Sequence, residues 1–173
     1  GKVLHFTCEM TERQVARRYD QAVFGATRSE VVENPAFVMA KAIRPMKLFK
    51  GMGGDLLIKA YPMDTATVLD LWADIMRAKR ELGGVDLVLV DYADVVRPPK
   101  PNPQHPYLND RAVIVGLSNL AKEFLVPSWS AVQVNRQGAD QKRPGMKNVA
   151  GGFDRIKVAH VVIALCVDEG ERE

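Results

Sequence analysis

The run Val85–Asp91, VDLVLVD, constrains this chain more than any other segment. Its apolar residues are consecutive rather than alternating, as in a strand covered on both faces, and such strands belong to parallel sheets. Parallel neighbours cannot be joined by a tight hairpin, so each needs a crossover, usually a helix. The rest of the chain supplies them. Val3–Cys8 reads as a short buried strand. Thr11 follows as an N-cap, with Gln14 three residues on completing a capping box. Val15, Tyr19, Ala22 and Val23 then recur at helical spacing, which predicts a helix to about Phe24. A second helix is expected from Asn34-Pro35 through Phe37, Val38 and Ile43, broken by Pro45 and by Gly51-Met52-Gly53-Gly54.

Leu56–Tyr61 reads as a strand closed by Pro62. Asp64 or Thr65 is expected to cap the next helix, whose stripe is Val68, Leu71, Trp72, Ile75 and Leu82, with Gly83-Gly84 as its stop. Residues 97–106 are proline-rich and almost without apolar side chains, so they read as an exposed loop. A helix is predicted from about Leu108 to Leu125, with Val113, Leu117, Leu120, Ala121 and Phe124 inward. Beyond Pro127 come a strand Trp129–Val134, a Gly-, Lys- and Arg-rich loop, a short helical turn Phe153–Val158 and a last strand Val161–Val167. Strand and helix alternate throughout. The expected fold is α/β, a mainly parallel sheet with helices on both faces, in one domain without internal repeats.

A length of 173 residues suits a single core. No apolar run approaches the roughly 18–20 residues that span a bilayer, and the start lacks the layout of a secretory signal. The expected compartment is the cytoplasm, or the host cytoplasm for a viral source. A net charge of +3 is compatible with nucleic acid as a partner without proving it. Cys8 and Cys166 lie in apolar, strand-like runs with no Cys or His at metal-ligand spacing, and read as buried reduced thiols.

Ligands of open parallel sheets bind beyond the carboxyl ends of the strands. There the first strand delivers Glu9, the central strand Asp91, and the Trp129–Val134 strand Gln133, Asn135 and Arg136. An aspartate in the position of Asp91 can hold magnesium through water while the metal contacts phosphates. A carboxylate in the position of Glu9 can activate a water molecule. Gln133 can hydrogen-bond a terminal phosphate. Taken singly, each has an ordinary alternative: a loop-opening aspartate, an acid favoured at a helix start, and a polar loop residue. From Arg136 to Lys157, six basic residues stand against two acidic ones. Arg136, Lys142, Arg143 and Lys147 are the candidates for a phosphate backbone. Phe153 is the lone aromatic there, so base stacking is not indicated. His5, His105 and His160 share no metal-site spacing, and Ser118 and Ser130 lie in no nucleophile elbow.

The order of these features resembles the C-terminal ATPase domain of DnaB-type replicative helicases, phage members included. HFTCEM at His5–Met10 is similar to the family strand that ends in a glutamate followed by Met. VDLVLVDYADVV resembles the Walker B strand, with an aromatic after the aspartate. LSNLAKEFLVPSWSAVQVNR, Leu117–Arg136, resembles a helix, a Val-Pro and a strand ending in Gln-x-Asn-Arg. DRIKVAHVVIAL resembles the segment after the DNA-binding loop, with His160 where an Asp is usual. The resemblance implies a RecA-like fold with ATP and Mg2+ as cofactors. It implies Glu9 as catalytic base, Asp91 as the magnesium-associated acid and Gln133 as phosphate sensor. The loop Arg136–Gly152 would contact single-stranded DNA. A homo-hexamer is implied too, with primase and a helicase loader as partners.

No G-x-x-x-x-G-K-[ST] occurs anywhere in the chain. In the family the phosphate loop lies just before the first strand seen here, and the arginine finger lies beyond the last. Residues 1–173 are therefore expected to be a partial RecA-like core that does not hydrolyse ATP by itself. The alternatives are a RecA-like recombinase, a clock-type regulatory ATPase, a phospho-receiver domain built around VDLVLVD, and a non-catalytic assembly fragment.

Overall fold

A computed structural model describes residues 1–133, 145 and 153–165. Its centre is a four-stranded, all-parallel sheet in the order β2-β1-β3-β4. The strands are β1 (Lys2–Thr7), β2 (Asp55–Ala60), β3 (Leu87–Asp91) and β4 (Ser128–Ser130). The crossovers carry α1 (Glu12–Phe24), α2 (Arg28–Glu33) and α3 (Pro35–Gly51) between β1 and β2, α4 (Val68–Leu82) between β2 and β3, and α5 (Pro106–Phe124) between β3 and β4. Thr7 pairs with Ala60 on one side and Asp91 on the other, so the three strands end level.

The main core lies on one face of the sheet. Leu4, Phe6 and Cys8 of the first segment and Val88 and Val90 of β3 pack against Leu71, Ile75 and Ala78 of α4 and Val113, Leu117 and Phe124 of α5. These side chains are apolar at period two on the strands and near 3.6 on the helices, which is what one packed face requires. Burying each of the larger ones contributes about 1.5–3 kcal/mol. At Gly116 the two helices approach so closely that a Cβ would lie 2.9 Å from both Val68 methyls. A part-buried polar link ties the residue after β2 to α4: the Tyr61 hydroxyl donates to Asp74, whose other oxygen pairs with Arg77 at 3.1 Å. The opposite face holds Leu87 and Leu89 only half-buried, so β3 is less evenly covered than its apolar run suggests.

The Thr11–Gln14 capping box of α1 is present, and Gly25 closes the helix in the left-handed conformation at φ 59°. The short 3-10 turn Phe153–Val158 also forms where expected. Four expectations change. Pro45 does not end its helix but lies inside α3, since one missing N–H is outweighed by the bonds on either side. The cap of α4 is Thr67, with Asp70 as its reciprocal partner. Asp64 instead turns at φ 57°, and the Thr65 hydroxyl donates to the Pro62 carbonyl at 2.7 Å. The fourth strand stops at Ser130; Ala131–Gln133 are irregular and Val134 lies outside the described residues. Val161–Leu165 belong to no strand, while Cys166 and Val167 lie outside the described residues. A strand needs a neighbour, and among the described residues nothing pairs with the outer edge of β4, whose three residues are exposed.

Candidate active site

The chain leaves β1 at Thr7 and enters a three-residue bend before α1. Two sets of bonds hold that bend. The Cys8 N–H donates to the Asp91 carbonyl at 2.9 Å, locking the first residue after β1 onto the end of β3. The Thr7 hydroxyl lies 3.1 Å from both the N–H and the carbonyl of Met10. Beyond it, the Thr11 N–H donates to Gln14 Oε1 at 2.9 Å and starts the helix. Glu9 sits at the tip of this pinned bend, with its side chain exposed. A carboxylate held so, on rigid backbone and in contact with solvent, is placed to orient a water molecule.

Asp91 is half-buried at the last position of β3. A 3-10 turn, Ala93–Val95, follows it. The end of β4 and the residue after it dock on β3 and that turn: the Ser130 hydroxyl donates to the Val90 carbonyl at 2.8 Å, and Ala93 N–H donates to the Ala131 carbonyl at 3.3 Å. Gln133 is tied there twice. Its backbone N–H donates to Asp94 Oδ2 at 3.0 Å, and its Nε2 donates to the Tyr92 hydroxyl at 3.3 Å. The fold thus brings Glu9, Asp91 and Gln133 to one edge of the sheet. Tyr92 and Asp94 join them as anchors of Gln133. The aromatic at position 92 was visible as part of the strand motif; Asp94 carried no signal of its own. Arg136, Lys142, Arg143 and Lys147, with Asn135, lie outside the described residues.

The charge of Asp91 reaches the groups packed under this edge. Burial, then Asp91, pushes the Cys8 thiol up to about 11. Cys8 is therefore an un-ionised core residue, as expected from its apolar run. Burial and then Asp91 also raise Tyr19. Burial lowers His5, with Asp91 opposing. Among the described residues no group of three or more His, Cys, Asp or Glu could hold a metal ion. One half-buried carboxylate at a strand end fits magnesium bound mainly by water and phosphate oxygens, not a protein cage.

His5 yields a pH prediction. Its Nδ1 lies 2.8 Å from the Tyr19 hydroxyl, while its Nε2 is buried without a partner. Because burial holds the folded-state pKa below 6.5, the unfolded chain takes up a proton first as pH falls. Stability is then level above about pH 6.5 and declines below it. The melting temperature should fall between about pH 7 and about pH 5.5, and His5→Leu should flatten that fall. An unchanged slope in the variant contradicts this assignment. The half-buried carboxyls Asp20 and Asp110, both raised by burial, act in the opposite sense and at lower pH.

With this geometry in view, the comparisons with known proteins are specific. Residues 1–169 match the DnaB-like helicase C-terminal domain family. The chain belongs to that family. Among the solved structures that share its fold are the following two. One is a DnaB-like replicative helicase described with its interactions with primase, with a TM-score of 0.74 and 18% identity, covering 91% of this chain and 38% of that one. The other is described as an ATPase domain, with a TM-score of 0.74 and 17% identity, covering 91% of this chain and 57% of that one. The DnaB-like domain described here thus spans less than half of the first chain and somewhat over half of the second. At these identities the likeness establishes the RecA-like α/β fold. No curated protein matches the chain. No helix among the described residues is long and apolar enough to cross a membrane.

Proposed function

We propose that this domain is the motor of a replicative DNA helicase, hydrolysing ATP at subunit interfaces of a homo-hexamer and moving along single-stranded DNA. Family membership supports this reading, and one observation carries it. Glu9 and Asp91 lie at the ends of two strands and Gln133 three residues beyond a third, yet bonds at 2.9–3.3 Å tie their segments to one edge. Asp91 would hold a magnesium ion, largely through water, which would supply positive charge against the phosphates. Glu9 orients and deprotonates the attacking water. Gln133 bonds the terminal phosphate, and release of that bond shifts the segment that follows it, which carries the basic loop. The backbone cradle for phosphates has no counterpart motif in residues 1–173. This chain on its own should therefore turn over little ATP. Primase is a fitting partner, since one structural relative is described with it, and a helicase loader is a second.

Arg136, Lys142, Arg143 and Lys147 are the proposed DNA-binding residues. Changing all four to alanine in the complete protein should weaken binding to an oligo-dT strand. It should also flatten the salt dependence, by about 0.7 in log–log slope for each phosphate no longer neutralised. Fluorescence anisotropy across a salt series reads both. An unchanged slope would remove this loop from the DNA path.

A further inference from the structure

A cleft of about 390 Å³ opens beside the bend that bears Glu9, between α1 and α2. Arg17, Arg18 and Arg28 line it together with Gln14 and Gln21, and Met10 and Val32 supply apolar wall. All three arginines are exposed, and among the described residues none has a carboxylate within ion-pair distance. Asp20, two residues from Arg18, is half-buried and pairs with none of them, and Glu12 and Glu30 bond elsewhere. Glu12 accepts from the Ala60 N–H at 3.2 Å, and Glu30 accepts from the N–H and hydroxyl of Thr27 at 2.7 and 2.9 Å. Gln14 spends its carbonyl oxygen on Thr11, which leaves its amide N–H groups as donors.

Three guanidinium forks and a carboxamide donor in one concavity match the oxygens of phosphate groups, which arginine binds in bidentate fashion. The volume is in the range of small-ligand pockets. That is room for a short chain of phosphates rather than a folded partner. No aromatic side chain lines the cleft, so a base has nothing to stack on and recognition falls on the phosphates. We infer that the α1–α2 cleft, whose lining includes none of Glu9, Asp91 and Gln133, is an oligophosphate-binding site. The phosphates could belong to a free oligophosphate or to a nucleic-acid backbone, which present the same groups. The inference stands on the cleft alone and is read by binding, so it can fail while the motor reading holds, or survive if that reading fails.

The test is calorimetric titration of inorganic triphosphate into the 173-residue chain and two variants. One carries Arg17→Ala, Arg18→Ala and Arg28→Ala; the other carries Arg44→Ala, Lys47→Ala and Lys50→Ala, three exposed residues of α3 that do not line the cleft. Each removes three positive charges, so overall charge is matched. The cleft variant should bind at least tenfold more weakly and the α3 variant within twofold of the parent. Because the three cleft arginines are exposed, melting temperatures should agree, and a version with three lysines should recover part of the affinity. Equal loss in both variants, or no triphosphate binding by the parent chain, overturns the assignment. Oligo-dT added to triphosphate-loaded chain in which Arg136, Lys142, Arg143 and Lys147 are changed to alanine, so that the proposed DNA-binding loop cannot compete, then separates the sources. Displacement identifies a nucleic-acid backbone, and retention identifies a free oligophosphate.

Discussion

In the complete protein, Glu9→Gln should bind ATP much as the parent does and lose hydrolysis by about 10²–10⁴-fold, the usual worth of a positioned general base. The substitution keeps size and hydrogen-bonding capacity but removes the group that accepts the proton. The backbone around it should not respond, because the bend is held by Cys8, Thr7 and Met10 rather than by the Glu9 side chain. Glu9 is exposed, so the melting temperature should not change, and this control separates lost chemistry from lost fold. Nucleotide affinity and turnover measured on the same preparation decide the matter. Turnover within a few fold of the parent would remove Glu9 from the role of base.

The largest effect on stability is expected at Phe6. Its side chain is fully buried at the middle of the sheet. Its ring lies 6.3 Å from that of Tyr61, and its strand neighbours are Lys59 and Val90. Phe6→Ala removes most of that buried surface from a site walled by β3 and α4, which cannot collapse far. The expected cost is about 3–5 kcal/mol, a large part of the stability of a domain this size. Denaturant unfolding of both forms measures it directly. A loss below about 1 kcal/mol would mean that the core around β1 is looser than its packing indicates. The same strand delivers Glu9, so a function-neutral loss of this size is not expected.

The features legible in the sequence were those whose causes are local or strictly periodic. The box formed by Thr11 and Gln14 involves residues three apart, and the helix stop at Gly83 needs only a residue that tolerates positive φ. The run VDLVLVD announces a buried parallel strand by its composition alone. Where several local solutions compete, the sequence was ambiguous. Asp64, Thr65 and Thr67 can all cap a helix, and the choice fell to Thr67 because Asp70 answers it three residues later. The helix α2 is only six residues long, too short to show a period, and Pro45 signalled a break that its surroundings override. The fourth strand is short because the pairing that would extend it is not local.

The candidate site divides in the same way. Glu9 and Asp91 could be read from where strands stop. The attachment of Gln133 to Tyr92 and Asp94 spans about forty positions, and no pattern within one segment encodes it. The partnership of His5 with Tyr19 joins a strand to the second turn of a helix and was equally hidden. Arg17 and Arg18 lie off the apolar stripe of α1, and only the turn into α2 brings Arg28 beside them.

The motor reading is tested most directly by ATP hydrolysis in the complete protein, measured with and without single-stranded DNA. Hydrolysis that rises severalfold on adding DNA is the expected result, because Gln133 would couple the nucleotide edge to the basic loop. Hydrolysis indifferent to DNA would contradict it and point to a clock-type or regulatory ATPase, and no hydrolysis at all would leave this domain as an assembly element.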